Sequence, residues 1–344
     1  MKYGKCKLIL CSFLLAAMFT PKVTYGEENS LKGKSIKAPV ATIIFDDGDI
    51  EDYTIMYPYF KSKGIKGCSA LISAETDKYD HFLNMNQIYE MQKYGWDFLS
   101  HTVNHLDLTK LSAENIDYEL KASKDFYTSK GIDINAVVYP YNNYNDQVIN
   151  EAKKYYDAGF AYNYSDEVPY NVNINDNKYN IYRVMLEMPL SVNKEIIDAA
   201  IKNNGWLVFM GHGHYYRSEV YTDDSIWPGK WGNNAQKTKD TIEYLLAKNV
   251  RIITVDEKLK ENALTKTGWN QYKNNWYYLK NNYSLATEWN YFNNKWYYFN
   301  EDGKMITGWY KINNNWYYFY LSGDMAVSTE IDGYTLDSSG EWIE

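Results

Sequence analysis

The end of the chain repeats itself every twenty residues. "TGWNQYKNNWYYLKNNYSLA" begins at Thr267, "TEWNYFNNKWYYFNEDGKMI" at Thr287 and "TGWYKINNNWYYFYLSGDMA" at Thr307, and a degenerate fourth unit, "VSTEIDGYTLDSSGEW", follows. Self-similarity at a fixed period means supersecondary units that stack, because no single unit buries its own apolar face. Each unit reads as a hairpin: a short strand starts at the first Trp, a polar turn such as Asn274–Asn275 follows, and "WYY" opens the return strand. Strand alternation puts Trp276 and Tyr278 on one face and Tyr277 on the other.

Stacked hairpins leave aromatic rings facing one another at each junction. Such a box suits a quaternary ammonium, which is held by ring faces and cannot hydrogen-bond; the other reading is that the rings only pack against each other. Over about 75 residues these units resemble the choline-binding (cell-wall-binding) repeats of Gram-positive surface proteins. The resemblance implies attachment to choline on wall teichoic acid, with a glucan as the other ligand class of such repeats. The candidate cage residues are Trp269, Trp276, Tyr278, Trp289, Trp296, Tyr298, Trp309, Trp316 and Tyr318.

Residues 39–260 have a different grammar. "ATIIFDDG" is a strand ending in acids, "YTIMYPYFKSKGI" is helical in pattern, and a strand around Cys68 follows. "MNQIYEMQKYG" then precedes "WDFLS", "DYELKASKDFYTSKG" precedes "AVVYP", "DQVINEAKKYYDAG" precedes "FAYNY", and "TKDTIEYLLAKN" precedes "VRIITV", with "GWLVFMGHGH" as a further strand. This β–α alternation predicts parallel strands in a barrel or an open sheet. In either, chemistry gathers at the carboxyl ends of the strands.

Asp46 and Asp47 follow "TIIF", His101 and His105 follow "WDFL", Tyr139 to Tyr141 follow "AVV", and His212 and His214 follow "WLVFM". Four of the five histidines and a paired aspartate therefore fall at one expected rim. One carboxylate and two imidazoles make a three-ligand metal site with open positions for water and substrate. Zinc suits that site; cobalt, nickel and manganese are compatible with it.

"TIIFDDG", "SHTVNHLDLTKLS", "VVYPY" and "WLVFMGH" look like the motifs of the polysaccharide deacetylases, the NodB-homology domain of carbohydrate esterase family four. The resemblance spans nearly all of 39–260 and implies a distorted (β/α) barrel with fewer than eight regular units, followed by a β-hairpin repeat solenoid. It further implies Asp46 as general base, Asp47, His101 and His105 as metal ligands, the backbone N–H of Tyr141 as oxyanion donor, and His212 as the acid that protonates the leaving amine. His214 is the rival to His212. An acetamide of a glycan is then hydrolysed by a water that Asp46 deprotonates.

Two positions depart from that pattern. Many members carry an arginine just before the Pro-Tyr motif, and "AVVYPY" has none; Arg183 in "YRVML", placed where a later strand should end, is expected to pair with Asp46 instead and lower its pKa. Asn142 stands where the family usually has glycine. The long segment 215–236, with Trp227 and Trp231, is expected to shape a glycan groove or to cover the barrel edge.

Residues 1–26 combine Lys2, Lys5 and Lys7 with the apolar run "LILCSFLLAAMF" and a polar end with small residues, which predicts a secretory signal, followed by a linker at 27–38. Its removal takes four lysines and no acids, moving the net charge from −8 to −12. A chain that acidic is a poor partner for nucleic acid. Only Cys68 then remains of three cysteines, so no intrachain disulfide forms, and a buried apolar role is expected for it. The expectation is a monomeric, secreted, cell-wall-associated deacetylase with no membrane segment after cleavage, acting on peptidoglycan or another GlcNAc polymer. The alternatives are an O-acetyl esterase acting on a polysaccharide such as acetylxylan, and a wall-binding surface protein without catalysis.

Overall fold

A computed structural model of the protein describes residues 39–162, 170–171, 174–175, 178–186, 188–213 and 235–343. The expected signal segment 1–26, the linker, His214, Trp227 and Trp231 lie outside the described residues.

Among the described residues, eight parallel strands follow the expected alternation: β1 (Val40–Asp46), β2 (Cys68–Leu71), β3 (Asp97–Ser100), β4 (Ala136–Val138), β5 (Ala158–Tyr162), β6 (Ile181–Met185), β7 (Trp206–His212) and β8 (Arg251–Ile252). They run in the order β2-β3-β4-β5-β6-β7-β1-β8, and a further pairing of β1 with β2 closes β1 to β7 into a seven-stranded barrel. β1 carries the closure. It pairs with β7 along its whole length, with β8 at Val40 and Ala41, and with β2 at Ile44 and Phe45. The strand expected at "VRIITV" shrinks to two residues, because the chain turns at Thr254 into a capped helix.

The strands are short and apolar on both faces, as a barrel with an outer helical layer requires. Ala41, Ile43 and Phe45 join Leu207, Phe209 and the helices in one core cluster. Val40, Ile44, Cys68, Ala70, Leu99, Val138, Ile181, Trp206 and Val208 form the second, inside the barrel. The helices of the outer layer are α1 (Tyr57–Ser62), α2 (Met85–Tyr94), α3 (Ala113–Thr128), α4 (Asp146–Ala152), α5 (Leu190–Lys202) and α6 (Ala235–Ala247). Asn84 and Gln87 form a capping box that starts α2, and Gly95 at φ 96° ends it in the left-handed region.

A seventh helix, α7 (Val255–Ala263), places Val255 and Leu259 against the barrel interior. It opens with its own capping box between Thr254 and Glu257. Arg251 of β8 is fixed to α7 by two hydrogen bonds to Glu261, Nη1 to Oε1 at 2.7 Å and Nη2 to Oε2 at 3.0 Å.

The repeats are hairpins: β9 (Gly268–Tyr272) with β10 (Asn275–Leu279), β11 (Glu288–Phe292) with β12 (Lys295–Phe299), β13 (Gly308–Ile312) with β14 (Asn315–Phe319). The fourth unit is a three-stranded meander, β15 (Thr329–Ile331), β16 (Tyr334–Leu336) and β17 (Trp342–Ile343). The first turn is Lys273–Asn274, one residue earlier than Asn274–Asn275. Tyr272 pairs with Asn275, so only two residues remain for the loop, and both take positive φ as a type I′ turn demands. Asn293–Asn294 and Asn313–Asn314 repeat it.

The first hairpin, with Asp302 of the second unit, docks on the barrel. Tyr272 packs on the interior cluster that α7 closes, and Leu264 joins Tyr277, Leu279 and Leu285. Lys273 reaches Asp256 at 2.8 Å, Lys66 reaches Glu257 at 3.2 Å and Asp302 at 3.4 Å, and Lys260 donates to the Asp302 carbonyl at 3.1 Å. Among the described residues, no helix is long and apolar enough to cross a membrane.

The Arg251–Glu261 pair is buried, with each side chain 3% exposed. Glu261→Ala strips a buried guanidinium of its carboxylate, so urea denaturation should show a loss of about 3–5 kcal/mol. A loss below about 1 kcal/mol would rank the pair with ordinary surface bridges.

Candidate active site

Parity along the strands decides which groups enter the barrel. On β1 the interior positions are Val40, Ile44 and then Asp46; on β7 they are Trp206, Val208 and then His212. Asp46 and His212 are paired neighbours in the β1–β7 ladder. Leu99 is interior on β3, and His101 follows it in step; Ile181 is interior on β6, and Arg183 follows. The polar groups at the carboxyl mouth thus continue the inward rows of the apolar core.

Beyond the strand ends the backbone enters left-handed conformations. Asp47 has φ 72° and Gly48 φ 74°, which turns the second carboxylate away from the row that Asp46 occupies. Glycine carries that φ at Gly48 without strain, and a Cβ there would meet Leu71 Cδ2 at 2.8 Å and oblige the leucine side chain to shift. Thr102 and His105 also have positive φ, 68° and 55°. Their loop is pinned by Glu119 of α3, whose buried carboxylate accepts from the backbone N–H groups of Val103 and Asn104 at 2.9 Å each and from Asn104 Nδ2 at 2.6 Å. The His105 N–H donates to Thr102 Oγ1 at 3.1 Å.

Asp47, His101 and His105 converge, with one ligand atom from each lying within 4.8 Å of the others. Asp47 Oδ1 is 3.6 Å from His101 Nε2 and 3.5 Å from His105 Nε2. His101 Nδ1–H donates to the Val138 carbonyl at 2.7 Å, which leaves the Nε2 lone pair facing Asp47. Burial and the neighbouring His101 hold the His105 imidazole down at a pKa of about 3, so it is a neutral donor at physiological pH. Burial also raises the Asp47 pKa, with His101 and His212 opposing it. Three donors at this spacing, two of them neutral imidazoles and one a carboxylate, fit a divalent transition ion.

Asp46 is different. Burial alone would raise its pKa, but Arg183, aided by His101 and His212, more than offsets that and holds it below the ordinary value. Arg183 Nη1 donates to Asp46 Oδ1 at 2.7 Å and to Oδ2 at 3.0 Å, with both side chains buried. Arg183 lies in the middle of β6, not at its end as its position in "YRVML" suggested; its long side chain covers the difference. Tyr141, at φ 57°, sets its exposed ring against His105, 4.7 Å between centroids at 54°.

The repeats bring rings together across units. Trp269, Trp276 and Tyr278 share a face, since Trp269 pairs with Tyr278. Trp269 meets Tyr297 of the next unit at 5.0 Å, Trp289 meets Tyr317 at 5.0 Å and Trp309 meets Tyr334 at 5.5 Å, all edge to face. Trp276, Trp296 and Trp316 remain 41%, 44% and 39% exposed beside them. Tyr278, Tyr298 and Tyr318 each meet the first tryptophan of their own hairpin edge to face, at 5.3, 5.2 and 5.4 Å, and also pack onward, Tyr278 stacked on Phe292 at 3.9 Å, Tyr298 against Tyr310 at 5.7 Å and Tyr318 against Tyr320 at 5.9 Å. The rings that face the tryptophans from the next unit are therefore the first tyrosines of "WYY", Tyr297 and Tyr317, and their counterpart Tyr334. They sit on the opposite face of their own hairpin and so did not stand out in single-unit alternation.

Comparison with known proteins matches this division. The polysaccharide deacetylase family matches residues 33–157, the choline-binding repeat family residues 286–329, and the family described as "Putative cell wall binding repeat" residues 267–282. The chain carries a polysaccharide deacetylase domain followed by choline-binding repeats. Among curated relatives, "Putative polysaccharide deacetylase YxkH" of Bacillus subtilis (strain 168) is 30% identical over 113 residues, which cover 33% of this chain and 40% of that protein. The match thus spans about two fifths of that relative's length. Of solved structures, the Streptococcus pyogenes deacetylase PplD in complex with acetate is 28% identical over 42% of this chain and 63% of that one, with a TM-score of 0.37. CbpJ from Streptococcus pneumoniae is 48% identical over 23% of this chain and 27% of that one, with a TM-score of 0.22.

Calorimetric titration of the deacetylase-domain protein with zinc should register one ion per chain. Asp47→Ala leaves two imidazoles and should weaken binding by more than the ~10–100-fold typical of losing a supporting residue. Unchanged affinity in Asp47→Ala would take the carboxylate out of the ligand set.

Proposed function

We propose that the protein is an exported, metal-dependent glycan N-deacetylase, tethered to the cell wall by its repeats and acting on peptidoglycan or another N-acetylglucosamine polymer. The observation that carries this reading is one juxtaposition: three metal-ligand side chains, Asp47, His101 and His105, beside a separate buried carboxylate, Asp46, at the carboxyl mouth of the barrel. Residues 1–26 serve as the export signal, 39–260 as the hydrolytic unit and 261–344 as the wall anchor.

Asp47, His101 and His105 would hold the ion, most suitably zinc. When bound, it supplies Lewis-acid polarisation of a carbonyl and lowers the pKa of water. Asp46 accepts the proton of the attacking water; Arg183 keeps it ionised and oriented until then. The backbone N–H of Tyr141 donates to the acetamide oxygen as negative charge builds there. His212 protonates the departing nitrogen, so that the C–N bond breaks to an amine and not to an amide anion. The products are acetate and a free sugar amine.

At each repeat junction, a tryptophan pair with a tyrosine from the next unit would enclose a choline headgroup: Trp269, Trp276 and Tyr297; Trp289, Trp296 and Tyr317; Trp309, Trp316 and Tyr334. Several weak cages on one chain hold it to the wall by avidity and keep the hydrolytic unit beside its polymer.

Acetate release from peptidoglycan, chitooligosaccharides and acetylated xylan, with and without chelator, tests the reading. Release from the first two that is abolished by chelator is the expected result; release from xylan alone would favour an O-acetyl esterase, and none from any, with metal present, a wall-binding protein. His212→Ala should lower turnover by about 10²–10⁴-fold, and Arg183→Ala should lower it without loss of metal; full activity in either would remove that residue from the mechanism. For the anchor, retention on an immobilised quaternary amine and elution with free choline is expected, and passage straight through the column would refute choline as the ligand.

A further inference from the structure

The Arg183 guanidinium is buried and faces Asp46 with Nη1. Its other terminal nitrogen, Nη2, donates to the side-chain oxygen of Asn142 at 2.8 Å. The same oxygen accepts the backbone N–H of Tyr162, the last residue of β5, also at 2.8 Å. Asn142 thus ties together the end of β5, the arginine of β6 and, through its own backbone, the turn that carries Tyr141. Arg183 Nε has no hydrogen-bond partner among the described residues, so Asn142 and Asp46 between them supply the hydrogen bonds that aim this cation.

Asn142 sits at φ 58°, and Tyr141 before it at φ 57°. Glycine occupies such left-handed positions without strain, and asparagine is the side chain that tolerates them best. Asparagine therefore supplies here what glycine cannot, an amide oxygen, while keeping the backbone path that glycine would allow. From this juxtaposition, and resting on the deacetylase reading above, we infer that Asn142 is a positioning residue: its amide oxygen holds Arg183 against Asp46 and couples that pair to the Tyr141 turn. Asn142 touches neither the metal ligands nor a reacting atom; it acts through the arginine. A chain whose arginine comes from β6, with none before the Pro-Tyr turn, thereby still has it braced from that turn.

Asn142→Gly removes the amide and preserves the backbone, which separates the two roles of the position. Asn142→Asp keeps an acceptor oxygen for both donors. With the zinc-loaded full chain and N-acetylated chitopentaose, Asn142→Gly should lose about tenfold or more in kcat, the worth of a buried hydrogen bond to a charged group, with little change in KM. Zinc affinity should stay at the wild-type value, and Asn142→Asp should recover most of the lost turnover. In a crystal structure of Asn142→Gly, Arg183 should have left Asp46, with Nη1 beyond about 3.5 Å from either oxygen. Wild-type kcat in Asn142→Gly, no recovery in Asn142→Asp, or an Arg183 that still contacts Asp46 in that crystal each overturns the inference. If the wild-type chain itself releases no acetate from any glycan, the deacetylase reading falls, and the crystallographic comparison still decides whether Asn142 positions Arg183.

Discussion

β1 is hydrogen-bonded on both edges, to β7 along its whole length and to β8 and then β2 on the other side. That double pairing closes the sheet, and closure sorts every strand into an inward and an outward row. Once Val40 and Ile44 face the interior, Asp46 must face it too, and full register with β7 sets Asp46 beside His212. A slip of one residue in this ladder would send the carboxylate into the helical layer, against the Phe60 and Trp96 rings that Phe45 now packs on. The candidate site is in this sense the last layer of the core, with polar side chains substituted at its open end.

Two adjacent aspartates acquire opposite electrostatic settings within that layer. Asp46 stays on the inward row, meets a buried guanidinium and is held ionised. Asp47, one residue on, is swung out by a left-handed backbone toward two imidazoles, and burial raises its pKa. A carboxylate in the first setting suits proton transfer, and one in the second suits sharing a cation with His101 and His105. The geometry of the loop, more than the identity of the residue, separates the two.

The repeats extend the same economy of surfaces. Each hairpin offers the next a face with a tryptophan pair and receives its neighbour's on the face with the first tyrosine of "WYY". In the first hairpin that receiving face, with Tyr272 and Tyr277, is occupied by α7 and the interior cluster behind it. The barrel floor therefore takes the place of a preceding repeat. The mouth that carries the candidate site lies at the other ends of the same strands.

Much of this was legible in the chain alone. The twenty-residue period required stacked hairpins, the β–α alternation required parallel strands, and the rule that strand ends carry chemistry selected Asp46, Asp47, His101, His105 and the pair His212 and His214, because local pattern sets strand position; the family resemblance preferred His212 of that pair. Only the tertiary structure decided what depends on partners far apart in sequence. It closed the barrel through β1, began the first repeat turn at Lys273, put Arg183 in mid-strand with a side chain long enough to reach Asp46, set Glu119 under the histidine loop, and brought Tyr297 of the neighbouring unit against Trp269, which already meets Tyr278 of its own hairpin. Asn142 shows the difference most plainly. As a letter it was a departure from glycine; its use as a hydrogen-bond hub exists only where β5, β6 and the Tyr141 turn meet, and no periodicity in a single segment encodes a contact among three.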